Sequence, residues 1–152
     1  MRAVVQRVTS SNVKVDNNII GSINKGINVL VGISKEDTED DLLYIRDKVI
    51  NLRIFEDENN KMSLSLLEIK GEILVISQFT LYGDCRKGRR PNFMEAEGGE
   101  RAEGLYKRFV ELLKESNLRV ETGEFGADMK VDIQNDGPVT LILDSKKNFR
   151  IV

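Results

Sequence analysis

The side chains best suited to chemistry gather in two short segments, Ser77-Gln78-Phe79-Thr80 and Asn135-Asp136-Gly137-Pro138-Val139-Thr140. The first offers two hydroxyls and a primary amide. A threonine hydroxyl such as that of Thr80 attacks a carbonyl only beside a base. In a chain without histidine that base has to be Asp, Glu or Lys. The same absence removes Ser-His-Asp and Cys-His machinery, together with zinc sites that use imidazole. A lone Cys85 cannot build an all-thiolate site. With 25 acidic residues a carboxylate-only Mg²⁺ or Ca²⁺ site stays open on composition, but the spacing of a calcium loop does not occur. Neither a metal nor a cofactor is expected. The chemistry is left to hydroxyls, amides, carboxylates, backbone groups and the substrate itself.

The second segment is a turn by chemistry, since Gly supplies unusual backbone angles and Pro fixes φ. Gly-Pro is also where a cis peptide is accessible, at about 0.5–1 kcal/mol. A cis bond would aim carbonyls where a trans chain cannot. Taken alone, each segment also has a plain structural reading, as ordinary polar strand residues and as a hairpin turn.

A third cluster concerns charge. Arg86-Lys87-Gly88-Arg89-Arg90 puts four cations into five residues of a chain whose net charge is −2, so the remainder carries −6 (−2 − 4). Such a loop is either solvated or a local contact for phosphates.

These groups need a scaffold, and the apolar pattern supplies one. Arg2 to Val8, Asn12 to Asp16, Ile19 to Ile23 and Ile27 to Ile33 read as an antiparallel meander, with Asn17-Asn18 and Asn24-Lys25-Gly26 as turns. A helix follows, capped by Asp37 or Thr38, with Leu42, Ile45, Val49 and Leu52 on one stripe. Arg53 to Phe55 reads as a short strand, and Met62 to Ile69 fits a strand or a helical turn. Gly71 to Tyr82 is the strongest strand and carries the first segment out to the sheet rim. Gly83 to Gly99 is a long polar loop, of a length that usually serves function or mobility. A second helix spans Glu100 to Ser116, with Ala102, Leu105, Phe109, Leu112 and Ser116 inward. Leu118 to Thr122, Met129 to Ile133 and Val139 to Leu143 complete about nine strands.

The expectation is one α+β domain over residues 1–152, of mainly antiparallel or mixed sheets. These form two sheets or a partial barrel, with two amphipathic helices on one side. No apolar run reaches the ~20 residues of a membrane span. Charge at Arg2 and Arg7 breaks the pattern of a signal peptide. A single cysteine suits a reducing compartment, so a cytoplasmic location is expected.

Together the two segments are far more specific than either alone. Ser77-Gln78-Phe79-Thr80-Leu81 followed by Asn135-Asp136-Gly137-Pro138-Val139-Thr140 resembles the D-aminoacyl-tRNA deacylase family. The opening Met1-Arg2-Ala3-Val4-Val5-Gln6-Arg7-Val8, the stretch from Tyr82 to Pro91 and Phe125-Gly126-Ala127-Asp128-Met129 fit it as well. The resemblance spans essentially the whole chain. It implies a homodimer that hydrolyses the ester between a D-amino acid and the terminal adenosine of tRNA. It also implies a cis Gly137-Pro138 bond that reaches into the partner subunit's active site and selects chirality.

On that reading Ser77, Gln78, Phe79 and Thr80 flank the ester, with the Phe79 or Thr80 amide as oxyanion donor. Phe125 and Met129, with Phe79, enclose the adenine or belong to the core. Arg7 contacts the selector loop, the substrate or only solvent. Arg86, Lys87, Arg89 and Arg90 meet the tRNA backbone. The attacking group is either Thr80 or a water assisted by the ribose 2′-hydroxyl. A non-catalytic RNA-binding dimer and an editing domain for L-amino acids are the competing classes.

Overall fold

The computed structural model describes residues 1–147. Its spine is β1, Arg2–Val15, whose two edges carry everything else in the main sheet. Along one edge runs β8, Lys130–Asp144, antiparallel over nearly its full length. The other edge is shared end to end by β2, Asn18–Ile23, and β3, Gly26–Gly32, both antiparallel to β1. The expected meander is therefore wrong at one corner. Asn17 turns the chain with φ of 65°, whereas Asn24-Lys25 only breaks a strand that keeps its direction. A second misreading is of polar residues as strand ends, where the strands in fact run on along a long partner. Val8 to Asn12 stays within β1, and Asn135 to Pro138 stays within β8.

After β3 comes α1, Glu39–Asn51, then the two-stranded pair β4, Phe55–Glu56, and β5, Met62–Leu64. The ambiguous stretch from Met62 resolves into β5 and a single helical turn, α2, Leu66–Ile69, capped by Ser65 through Glu68. β6, Glu72–Ser77, and β7, Val120–Thr122, then extend the sheet beyond β3, in parallel. Between them lies α3, Gly99–Lys114. The described residues hold eight strands and three helices, where about nine and two were expected.

Alternation divides the sheet's apolar side chains between two cores. Ala3, Val5, Ile27, Val29, Ile73 and Val75 face α1 and α3, against Leu42, Ile45, Val49, Phe109 and Leu113. Both long helices thus cover one face, as the stripes require. Of the residues expected on the inner face of α3, Ala102, Phe109 and Leu112 are buried and Leu105 only partly, while Tyr106, Val110 and Leu113 widen the buried face. Val8, Val13, Ile23, Leu74 and Ile76 point the other way and form a smaller core with Met129, Val131 and Ile133. β6 is buried on both faces, which explains its unbroken Ile-Leu-Val-Ile run.

The sheet nearly closes on itself. Gly21 of β2 packs so tightly on β7 that a Cβ there would sit 2.6 Å from the Thr122 carbonyl. The start of α1 is tied to the beginning of β1 and to the residues that follow β8. Thr38, not Asp37, caps it, with Asp41 Oδ2 accepting from the Thr38 amide at 2.8 Å. Asp37 is fully buried and binds the Met1 ammonium at 2.6 Å. Burial pushes the Asp41 carboxyl up, but hydrogen bonds from Ser145, Thr38 and Lys146 outweigh it and hold its pKa at about 2.

Candidate active site

β6 ends at Ser77, and this changes how the first segment presents itself. The Gln78 amide still donates to Val31 at 2.7 Å, prolonging the ladder by one residue. The chain then tightens into a 3₁₀ turn, Phe79–Tyr82, where a strand was expected. Tyr82 anchors that turn: it is buried, with the Arg2 guanidinium 4.6 Å above its ring. The first amides of such a turn have no acceptor within it. Those of Phe79 and Thr80 donate to nothing else among the described residues.

This turn forms one wall of a cleft of about 560 Å³. Ser77, Gln78 and Phe79 line it on one side, with Phe125 and Met129 on another. Phe125 also packs 5.8 Å from the Tyr106 ring, so it belongs to both cleft and core. Thr80 is not in the lining. It is exposed, and its Oγ1 accepts from the Gln78 side-chain amide. No carboxylate or ammonium lies within hydrogen-bond reach of that hydroxyl among the described residues.

The third wall escaped sequence reasoning. Glu97, Gly98 and Gly99 bring the N-terminus of α3 to the cleft, and Phe93 crosses its mouth. Glycine at both positions leaves open space where side chains would stand. A Glu-Gly-Gly run just before an amphipathic helix, and a lone aromatic in a polar loop, were the available signals. Glu97 is the one carboxylate in this lining. Its oxygens accept from the Gly98 amide at 3.0 Å and from Arg101 at 2.8 Å. Those donors, the amide first, hold its carboxyl below the ordinary value and make it a weak base.

The second segment lies apart. None of Asn135 to Thr140 lines the cleft. In the β1–β8 ladder Gln6 faces Thr140 and Val8 faces Asn135, so four residues, Asp136 to Val139, stand opposite Arg7 alone. The segment is a bulge pushed out of a continuous strand, not a hairpin turn. Gly137 and Pro138 are exposed, the bond between them is cis, and Gly137 has φ of 120°. Asn135 Nδ2 donates to Thr140 Oγ1 at 2.8 Å across the bulge's neck.

Arg7 holds the bulge from beneath. Buried to 6% exposure, it donates to the Ile54 carbonyl at 2.8 Å and to the Asp136 carbonyl at 3.3 Å. A Cβ on Gly137 would come within 3.0 Å of its guanidinium. Of the roles weighed for Arg7, the structure places it on the loop and outside the cleft.

The basic loop projects beside the cleft mouth, pinned by paired Asp84 and Asn92 amides at 2.7 and 2.9 Å. Arg86 is neutralised by Asp84, whose carboxyl it holds at about 2. Lys87, Arg89 and Arg90 are exposed and have no carboxylate partner among the described residues. Among those residues, no helix is long and apolar enough to cross a membrane.

Comparison with known proteins identifies the family. The family model described as D-Tyr-tRNA(Tyr) deacylase matches residues 4–144. A D-aminoacyl-tRNA deacylase of Clostridium botulinum (strain Eklund 17B / Type B) is 79% identical over 149 residues, 98% of this chain and 100% of that protein. One from Clostridium perfringens (strain SM101 / Type A) is 70% identical over the same shares. Among solved structures, the c-Myc DNA Unwinding Element Binding Protein superposes with a TM-score of 0.89 at 48% identity, covering 95% of this chain and 98% of its own. A probable eukaryotic D-amino acid tRNA deacylase shares the fold, with a TM-score of 0.82 at 20% identity over 93% and 97% of the two chains. On a match that runs from β1 through the bulge to the end of β8, the chain belongs to the D-Tyr-tRNA(Tyr) deacylase family.

Proposed function

We propose that this chain hydrolyses the ester linking a D-amino acid to the terminal adenosine of tRNA, in the cytoplasm, as a homodimer. The observation that carries the reading is a cleft bordered by the turn that begins at Phe79, where the Phe79 and Thr80 amides are uncommitted, and whose one lining carboxylate, Glu97, is a weak base. An aminoacyl ester is already activated, so stabilising the tetrahedral oxyanion is the larger part of the task. The 3₁₀ turn holds two N–H groups ready for it without reorganisation.

Water, assisted by the ribose 2′-hydroxyl, adds to the ester carbonyl. The intermediate then collapses by breaking the bond to the ribose oxygen, which takes the proton and leaves free amino acid and tRNA. Thr80 is a poor nucleophile here, because its hydroxyl meets only an amide donor.

Chirality is selected by exclusion. The rigid Gly137-Pro138 bulge, projecting from its own subunit, enters the cleft of a second copy and fills the direction an L side chain needs. Glycine has no side chain to reject, so its ester is hydrolysed too. Ser77, Gln78, Phe125 and Met129 position the adenosine, and the loop from Arg86 to Arg90 meets the tRNA backbone. A pure binding role is the second reading, favoured by the free cations and by a relative named for binding a DNA element. It predicts equal affinity whatever ester the tRNA carries.

One assay separates the readings: release from D-tyrosyl-, L-tyrosyl- and glycyl-tRNA, with and without EDTA. Fast release of the D- and glycyl esters alone is expected, unaffected by EDTA. Comparable hydrolysis of the L-ester would sink D-selection, and no hydrolysis at all would leave binding.

A further inference from the structure

The fold leaves three large apolar side chains uncovered on and beside the cleft rim: Phe79 at 54% exposure, Phe93 at 38% and Met94 at 72%. Phe79 and Phe93 meet edge-on with centroids 5.2 Å apart. Phe93 and Met94 share one turn, closed by the Ala96 amide on the Phe93 carbonyl at 3.1 Å. That turn is a ridge between two hollows. Phe93 faces the cleft, and Met94 lines a second hollow of about 250 Å³ with Arg2, Lys35 and Tyr82. The loop carrying Lys87, Arg89 and Arg90 leaves and rejoins the chain next to this ridge.

Aromatic faces beside unpaired cations match single-stranded nucleic acid, whose bases stack while its phosphates take the charge. An apolar protein partner would match the rim but leave the three cations without counterparts. If the terminal adenosine occupies the cleft, this rim gives the nucleotides before it a way out.

We propose that Phe93 and Met94 form a shelf on which the nucleotides preceding the terminal adenosine stack, with Lys87, Arg89 and Arg90 on their phosphates. The shelf rests on the deacylase reading of the cleft. It makes the single-stranded RNA end a recognised part of the substrate, separate from the adenosine.

The experiment compares D-tyrosyl esters of adenosine, of the trinucleotide CCA and of whole tRNA. In the unaltered protein the trinucleotide ester should have a KM about ten-fold below that of the adenosine ester. Met94→Ser, outside the cleft lining and at a position too exposed to matter for folding, should remove part of this gain while leaving kcat/KM for the adenosine ester within about two-fold. Phe93→Leu, at a residue that also borders the cleft, should raise KM for the trinucleotide ester by a larger factor than for the adenosine ester. A trinucleotide no better than adenosine would overturn the shelf alone, as would equal losses on both esters in Phe93→Leu with Met94→Ser unchanged. An unaltered protein inert towards all three esters would instead overturn the deacylase reading.

Discussion

The cleft wall at Ser77–Thr80 and the bulge at Asp136–Val139 are both backbone held rigid from below, the first by Tyr82 and the second by Arg7. One ends as a concave surface with free donors. The other projects into solvent with glycine and proline at its tip. The bulge lines no part of its own chain's cleft, so on the proposed reading a second copy completes the site. The difference also predicts how each should fail. Damage to the cleft should stop turnover, while damage to the bulge should leave turnover and lose selection.

The largest effect should come from filling the cleft. Gly98 lines it with open space where a Cβ would stand and a φ that other residues adopt, −129°. Gly98→Leu should lower kcat/KM for D-tyrosyl-tRNA by about 100-fold or more, since small misplacements of a reacting group cost that much. Losing a favourable helix cap should also cost about 1 kcal/mol, or about 2–4 °C in melting temperature, too little to unfold the protein. A fully active Gly98→Leu would move the site elsewhere.

The bulge should answer differently. Arg7→Ala leaves the Ile54 and Asp136 carbonyls without their charged donor, at about 2 kcal/mol, or about 4–8 °C in a chain of this size. Its diagnostic consequence is a ratio. Hydrolysis of L-tyrosyl-tRNA relative to D-tyrosyl-tRNA should rise by about ten-fold, while the D rate falls less. Arg7→Lys, which keeps one charge but loses the planar fork, should lie between. Equal loss of both rates would make Arg7 a mere structural prop.

How far the sequence could be read follows the same division. Apolar periodicity located the strands, both long helices and the face they cover, because burial enforces a period. Composition found the charged loop and the two polar segments, because unusual residues stand out locally. It could not find Glu97, Gly98 and Gly99, whose relevance comes from where α3 points once β6 and α3 pack together. Nor could it separate a turn from a bulge at Asp136–Val139. The local chemistry is identical, and only the ladder from Val8 to Gln6 shows that the chain does not reverse. Arg7 was ambiguous for a related reason: its partners, Ile54 and Asp136, are distant in sequence.

Smaller effects sharpen the cleft. If the amides of Phe79 and Thr80 do the work, the Thr80 hydroxyl is a helper that only accepts from Gln78. Thr80→Ala should therefore keep kcat within about ten-fold, whereas loss of an oxyanion donor costs about 100- to 1,000-fold. Near-complete loss in a folded Thr80→Ala protein would reinstate a covalent threonine.

The smallest effect should be at Glu97, the carboxylate nearest the chemistry. The Gly98 amide and Arg101 lower its pKa, so folding favours its charged form. Whatever it adds to stability is complete above the ordinary carboxylate pKa and is lost only as pH falls through the lowered value. Near neutrality it is already ionised and does not titrate. Without histidine, the side chain that ordinarily titrates between about pH 5 and 8 is missing. The pH profiles of kcat/KM for Glu97→Gln and the unaltered protein should then superimpose. Any slope they share belongs to the substrate's own α-amino group. Replacing the carboxylate by an amide keeps an acceptor for Gly98 and should change the rate by no more than about three-fold. A collapse of activity, or the loss of an acid limb on substitution, would mean that Glu97 serves as a base. The backbone would then share the chemistry with a side chain.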